Sequence, residues 1–185
     1  ELMAQNPKGL ILDLRNNGGG YLDTAVEVIS QFVPKGVALI EKFGDGKQNE
    51  YEVIPGGLAT SIPMVVLINE GSASASEITA GALQDYGRAK LIGVVSYGKG
   101  SVQYWVPLSN DQGAVRVTIA KWFTPNDNTI DGKGLTPDIY VTMTVDDFKA
   151  NRDPQLDAAV ETLLAMLNNT AIPTSMPTPV STPIP

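Results

Sequence analysis

The sequence predicts an α/β fold with helices packed against a sheet, and three observations predict it. Short β-branched runs such as MVVLIN at 64–69 alternate with segments of helical period, glycine-rich breaks end the runs, and capping signals open the helices. A chain of 185 residues with 43% apolar content can bury one ordinary core, so a single domain is expected.

Taken in order, Gly9–Arg15 (GLILDLR) is almost continuously apolar, as in a strand covered on both faces, and the breaker NNGGG follows it. Thr24 and Glu27 have capping-box spacing ahead of a helix to about Phe32, which Pro34 and Gly36 close. Val37–Phe43 and Tyr51–Ile54 flank GDGK as a hairpin. After the run at 64–69, EGSASASEITAGALQDY places small or apolar residues at 75, 78, 82, 83 and 86, a strand–turn–helix signature with the helix starting near Ser74. Lys90–Tyr97, Val102–Leu108 and Ala114–Trp122 read as strands separated by YGKG and NDQG. The stretch TPNDNTIDGKGLTPD is too polar and glycine-rich for core and is expected to form an ordered hairpin. Asp153 and Pro154 supply an N-cap and a first-turn proline. Leu156, Ala159, Val160, Leu163, Leu164 and Leu167 then mark one helical face. From residue 169 the Thr, Pro and Ser content without periodicity predicts a disordered tail, leaving 1–168 as the folded core.

Composition narrows the chemistry. A net charge of −7 without a Lys/Arg cluster argues against nucleic acid. No apolar run reaches the roughly 18 residues of a transmembrane span, and no leader pattern is visible. The first residues run straight into a strand, which suggests a start inside a longer protein. There are no cysteines and no histidines, so disulfides, thiolate metal sites and the imidazole base are all missing. Any hydrolytic chemistry needs another base.

The segment 69–77 offers a nucleophile. A hydroxyl at a helix start sits beside unpaired backbone N–H groups and the positive end of the helix dipole, both of which stabilise an oxyanion. The Ala75 N–H is the first candidate donor. Ser74 and Glu77 also form S-x-x-E, so capping alone accounts for this serine, and Ser72 and Ser76 remain open as alternatives. The bases left for a serine are Lys, Asp, Glu and Tyr. A lysine, ordinarily near pKa 10.4, serves only where a dry pocket strips its proton. Lys99 lies between Gly98 and Gly100, which let the backbone approach another element closely. Gln103, four residues on, would sit about 5–6 Å from it on a helical turn but about 13 Å away in a strand, so a Lys99–Gln103 hydrogen bond predicts a local turn.

GLILDLRNNGGG, NEGSASASEITAGAL, YGKGSVQ and AKWFTPNDNTIDGKGLTPD, in this order, resemble the four motifs of the C-terminal processing peptidases, also called tail-specific proteases, from about Gly9 to Val141. The resemblance implies a ClpP/crotonase-like α/β spiral of strands with helices packed outside. It implies Ser74 as nucleophile, Lys99 as general base, Gln103 as the residue orienting the lysine, and an oxyanion hole of the Ala75 N–H with Gly19 or Gly20. It also implies no metal or organic cofactor, protein or peptide substrates with unstructured C-termini, and an extracytoplasmic place in the bacterial envelope. The helices and PDZ module that usually precede such a core are not in this sequence, so tail recognition is expected to be lost. Two rival readings share the fold: a non-catalytic relative that binds a ligand or peptide, and a crotonase-like acyl-CoA enzyme.

Overall fold

The computed structural model describes residues 1–172. The expected α/β class with outer helices is realised as two four-stranded sheets. The first is parallel, with β1 (Leu10–Asp13), β4 (Met64–Ile68), β5 (Lys90–Gly93) and β8 (Ile139–Tyr140) side by side in that order. The second is antiparallel and runs β3 (Gln48–Glu52), β2 (Val37–Phe43), β7 (Ala114–Phe123), β6 (Ser101–Pro107).

Every residue of β4 is buried, because successive side chains enter opposite layers. Met64, Val66 and Ile68 join the core formed with α1 (Leu22–Phe32) and α2 (Ala75–Asp85). Val65 and Leu67 instead pack toward Ala159 of α4 (Pro154–Leu167). Each such fully buried aliphatic side chain contributes about 1.5–3 kcal/mol relative to exposure, so this strand anchors both layers.

Several boundaries move for identifiable reasons. Helix α1 starts at Leu22 behind Tyr21, and Thr24 falls inside its first turn instead of capping it. The hairpin partner of β2 is the polar run Gln48–Glu52; as an edge strand it needs backbone pairing but no apolar face. Strand β5 stops at Gly93 instead of continuing to Tyr97. Gly93 has φ +131°, and a side chain there would run into the Ile68 carbonyl, so the chain leaves the sheet at that point. The segment expected as a hairpin near 124–138 is ordered mainly by turns, with a single bridge between Phe123 and Thr129, and its Ile130 and Leu135 are core residues. Strand β8 and the short helix α3 (Val145–Lys149) add to the expected elements, and a Thr144–Asp147 capping box opens α3.

Helix α4 begins as expected, with the Leu156 N–H donating to Asp153 Oδ1 at 2.9 Å and Pro154 in its first turn. Its buried face matches the expected one only in part, at Ala159 and at Leu163, which packs against the same cluster. Gln155, Ala159, Thr162 and Ala165 turn inward, while Leu156, Val160 and Leu164 are exposed. The Gln155 amide explains part of this shift, because it donates to the Val141 carbonyl at 2.9 Å behind β8. The tail expected to be disordered falls largely outside the described residues. No helix among those described is long and apolar enough to cross a membrane.

Asp153 also accepts two hydrogen bonds from the Arg15 guanidinium, at 2.8 and 2.9 Å, tying α4 to the end of β1. The Arg15 hydrogen bond holds the Asp153 carboxyl below its ordinary pKa. A carboxyl lowered in the folded state stabilises above its unfolded pKa, about 3.9, and that stability is lost as pH falls through the folded value. Asp153→Ala is therefore expected to cost about 1–2 kcal/mol at neutral pH in urea denaturation. The melting-temperature gap between wild type and Asp153→Asn should close below about pH 4. A gap that persists at pH 2 would contradict the ion pair.

Candidate active site

The site forms where β1 and β4 end side by side. Beyond Ile68, Asn69 folds the chain back: its Oδ1 accepts from the Gly71 N–H at 3.0 Å and from the Asn16 N–H at 2.8 Å, and its Nδ2 donates to Asn16 Oδ1 at 3.0 Å. The Ala73 N–H donates to the Asn17 carbonyl at 3.0 Å. The glycine loop after β1 is thus clamped across the serine-rich turn.

The three serines left open by spacing differ in surroundings. Ser72 is fully buried, and its Oγ donates to the Leu14 carbonyl at 2.7 Å while accepting from the Asn69 N–H at 2.9 Å, a structural bridge. Ser76 is buried within the first turn of α2. Ser74 is half-buried at the N-cap of α2, with φ 58° and ψ −120°. That conformation costs a non-glycine residue about 1–3 kcal/mol and persists only where the surroundings enforce it. Ser74 and Glu77 adopt a capping-box arrangement in which the Glu77 arm is firm. The Ser74 N–H donates to Glu77 Oε2 at 2.9 Å, whereas Ser74 Oγ forms no cap hydrogen bond of full geometry. The hydroxyl is left available.

Glu77 carries more than a cap. It is fully buried, and its carboxylate accepts from the Ser74 N–H at 2.9 Å, Ser96 Oγ at 2.6 Å, the Gly98 N–H at 2.7 Å and the Lys99 N–H at 2.8 Å. One acid therefore joins the Ser74 turn to the Lys99 loop. The S-x-x-E spacing was the only signal for Glu77, and it pointed to a local cap; partners 19 to 22 residues away leave no trace in a short window.

The glycines around Lys99 behave as expected. Gly98 has φ +90°, and a side chain on it would meet the Gly134 amide at 2.9 Å; one on Gly100 would meet the backbone of Asp131. The loop is pinned by the Gly132 N–H to the Gly98 carbonyl at 2.9 Å and by the Trp122 N–H to the Gly100 carbonyl at 2.7 Å. Lys99 itself is half-buried, not sealed. With Tyr97, Ser101, Gln103 and Arg116 it lines an open pocket of about 520 Å³.

Gln103 departs from the expected turn. It lies on β6, just after a bulge between Val102 and Gln103, and its Nε2 donates to Thr118 Oγ1 at 3.4 Å instead of contacting Lys99. The two side chains share the pocket without bonding to each other.

Ala73 lines that pocket. Ala75 lines a second one, of about 140 Å³, together with Gly19, Gly20 and Tyr21, so the two residues that flank Ser74 in sequence line different pockets and Ser74 lines neither. Gly19 packs so closely that an added side chain would lie 2.8 Å from the Ala75 amide. The Gly19 N–H is occupied by Asn17 Oδ1 at 3.0 Å, while the Ala75 and Gly20 N–H groups have no partner among the described hydrogen bonds. Between the two glycines, Gly20 offers the free donor. Among the described residues, no group of three or more His, Cys, Asp or Glu side chains could hold a metal ion.

Comparison with known proteins bears on the family. Residues 1–141 match the profile of Peptidase family S41. A carboxy-terminal-processing protease of Bartonella bacilliformis is 50% identical over 137 residues, covering 72% of this chain and 31% of that protein. A carboxyl-terminal-processing protease of a Synechocystis species is 39% identical over 166 residues, covering 88% of this chain and 38% of its own length. The solved structure of the photosystem II D1 C-terminal processing protease superimposes with a TM-score of 0.71 at 38% identity, over 76% of this chain and 36% of that one. The chain spans about a third of the length of these relatives.

Proposed function

The chain belongs to peptidase family S41, and on that premise we propose that it is the catalytic core of a serine endopeptidase that cleaves proteins near their C-termini with a Ser74–Lys99 dyad. The observation that carries the reading is the Glu77 carboxylate, which holds the Ser74 and Lys99 backbones on one buried anchor. In the proposed reaction the neutral Lys99 amine takes the Ser74 hydroxyl proton as Oγ attacks the scissile carbonyl. The Ala75 N–H, with that of Gly20, receives the oxyanion. Lys99 returns the proton to the leaving amine, and water then releases the acyl-enzyme by the reverse sequence. Gln103 would contact the lysine only after turning from Thr118.

By the same likeness the substrates are proteins with unstructured C-termini, met outside the cytoplasm. The test is covalent capture. A fluorophosphonate should add one equivalent to the peptide that carries Ser74. Adduct on Ser72 or Ser76, or no adduct across the alkaline range, would reject the dyad.

A further inference from the structure

The pocket that holds Lys99 is electrostatically unlike the rest of the chain. The protein carries a net charge of −7, yet among the described residues this pocket is lined by Lys99 and Arg116 and by no carboxylate. Arg116 forms no salt bridge among the described residues; its guanidinium carbon instead lies 5.5 Å from the centre of the Trp105 ring. The β-ladder explains the arrangement. Trp105 pairs with Arg116 and Gln103 with Thr118 on adjacent strands, and residues two apart on a strand share a face. Gln103, Trp105 and Arg116 therefore extend one face outward from Lys99. Stacking on an aromatic ring orients a guanidinium while leaving its N–H edge unpaired, the state in which it takes a carboxylate on two bonds. Trp105 is 65% exposed, a large apolar residue left uncovered beside the site.

We infer that Arg116, held on Trp105, is a specificity residue that binds a carboxylate of the peptide lying across the Lys99 pocket. The inference rests on reading that pocket as the place where the substrate lies. The carboxylate is either an Asp or Glu side chain or the free C-terminus, since both present the same planar pair of oxygens. Arg116 stands apart from the reacting atoms. It positions the peptide and is not catalytic.

The test is a binding titration of the chain carrying Ser74→Ala, which keeps the peptide intact, with an extended alanine-rich peptide in four forms: with Glu or Gln at one position, and with a free or an amidated C-terminus. Tryptophan emission reports on the contact, because of the two tryptophans Trp122 is buried and Trp105 is exposed. Forms bearing the recognised carboxylate are expected to bind about fivefold tighter, a preference of the size of an exposed ion pair that shrinks with added salt. Loss of the preference on amidation assigns the terminal carboxylate, and loss on Glu→Gln in the peptide assigns the side chain. Arg116→Gln should bring all four forms to one affinity, and Arg116→Lys should keep part of the difference. Equal binding of the four forms by the parent chain, or a preference that survives Arg116→Gln, overturns the inference. Either result is separable from failure of the dyad: a chain that labels at Ser74 but binds all four forms alike loses only the clamp. One that keeps the preference but never labels loses only the chemistry.

Discussion

Ser74→Ala is expected to abolish acyl-enzyme formation, and Lys99→Met to slow it by about 10²- to 10⁴-fold, the usual contribution of a general base. Both variants should keep native circular dichroism and melting. Ser74 Oγ makes no cap hydrogen bond of full geometry, so its removal leaves no buried donor unsatisfied. Lys99 is tied to the core through its backbone N–H to Glu77, at 2.8 Å, a bond that methionine retains. The loss should therefore lie in the chemical step, with peptide affinity close to that of the parent chain. Fluorophosphonate labelling and peptide cleavage measure the first, and the tryptophan titration measures the second. Parent-like labelling of Lys99→Met would mean that another group takes the proton.

The second large effect is expected at Glu77. In Glu77→Ala the amides of Ser74, Gly98 and Lys99 and the Ser96 hydroxyl all lose their acceptor in a dry interior. Each buried donor left unpaired costs about 1–3 kcal/mol, and some regain partners as the loops relax, so a loss of about 3–5 kcal/mol is expected in urea denaturation. Glu77→Gln keeps the shape but turns an N–H₂ toward donors, and about 2–3 kcal/mol should go. Because the same acid holds the Ser74 and Lys99 segments, Glu77→Gln should also slow labelling of Ser74 under conditions where the variant remains folded. A merely structural role would leave that rate unchanged in the folded fraction. Normal labelling in folded Glu77→Gln is thus the result that removes Glu77 from the site.

The legible part of the fold follows from how far each signal reaches. The strand at 64–69, the helix beginning at Ser74 and the Asp153–Pro154 start of α4 each depend on residues within one turn or one pleat, and each forms as read. Where a long-range contact competes, the local reading slips. Leu156, Val160 and Leu164 match a helical period as well as the residues that are buried, but Gln155 bonding to Val141 and Ala159 packing on β4 rotate the helix away from them. Ile130 and Leu135 sit among polar and glycine residues that advertise a surface loop. They are buried because the Lys99 loop needs that segment's backbone against it.

The sequence by itself determined the chemical options: without histidine or cysteine, the base available to a serine at the helix start narrows to Lys, Asp, Glu or Tyr, and the choice of the glycine-flanked Lys99 comes from the resemblance. Those are properties of composition and of near neighbours, which survive in any conformation. Only the tertiary structure decided that Glu77 would gather amides from two distant loops, that Gly19 and not Gly20 has its N–H bound to Asn17 among the described residues, that Gln103 would turn to Thr118, and that Arg116 would stack on Trp105. Each depends on groups far apart in sequence coming within about 3–6 Å, and hydrogen bonds and stacking are read only at such range.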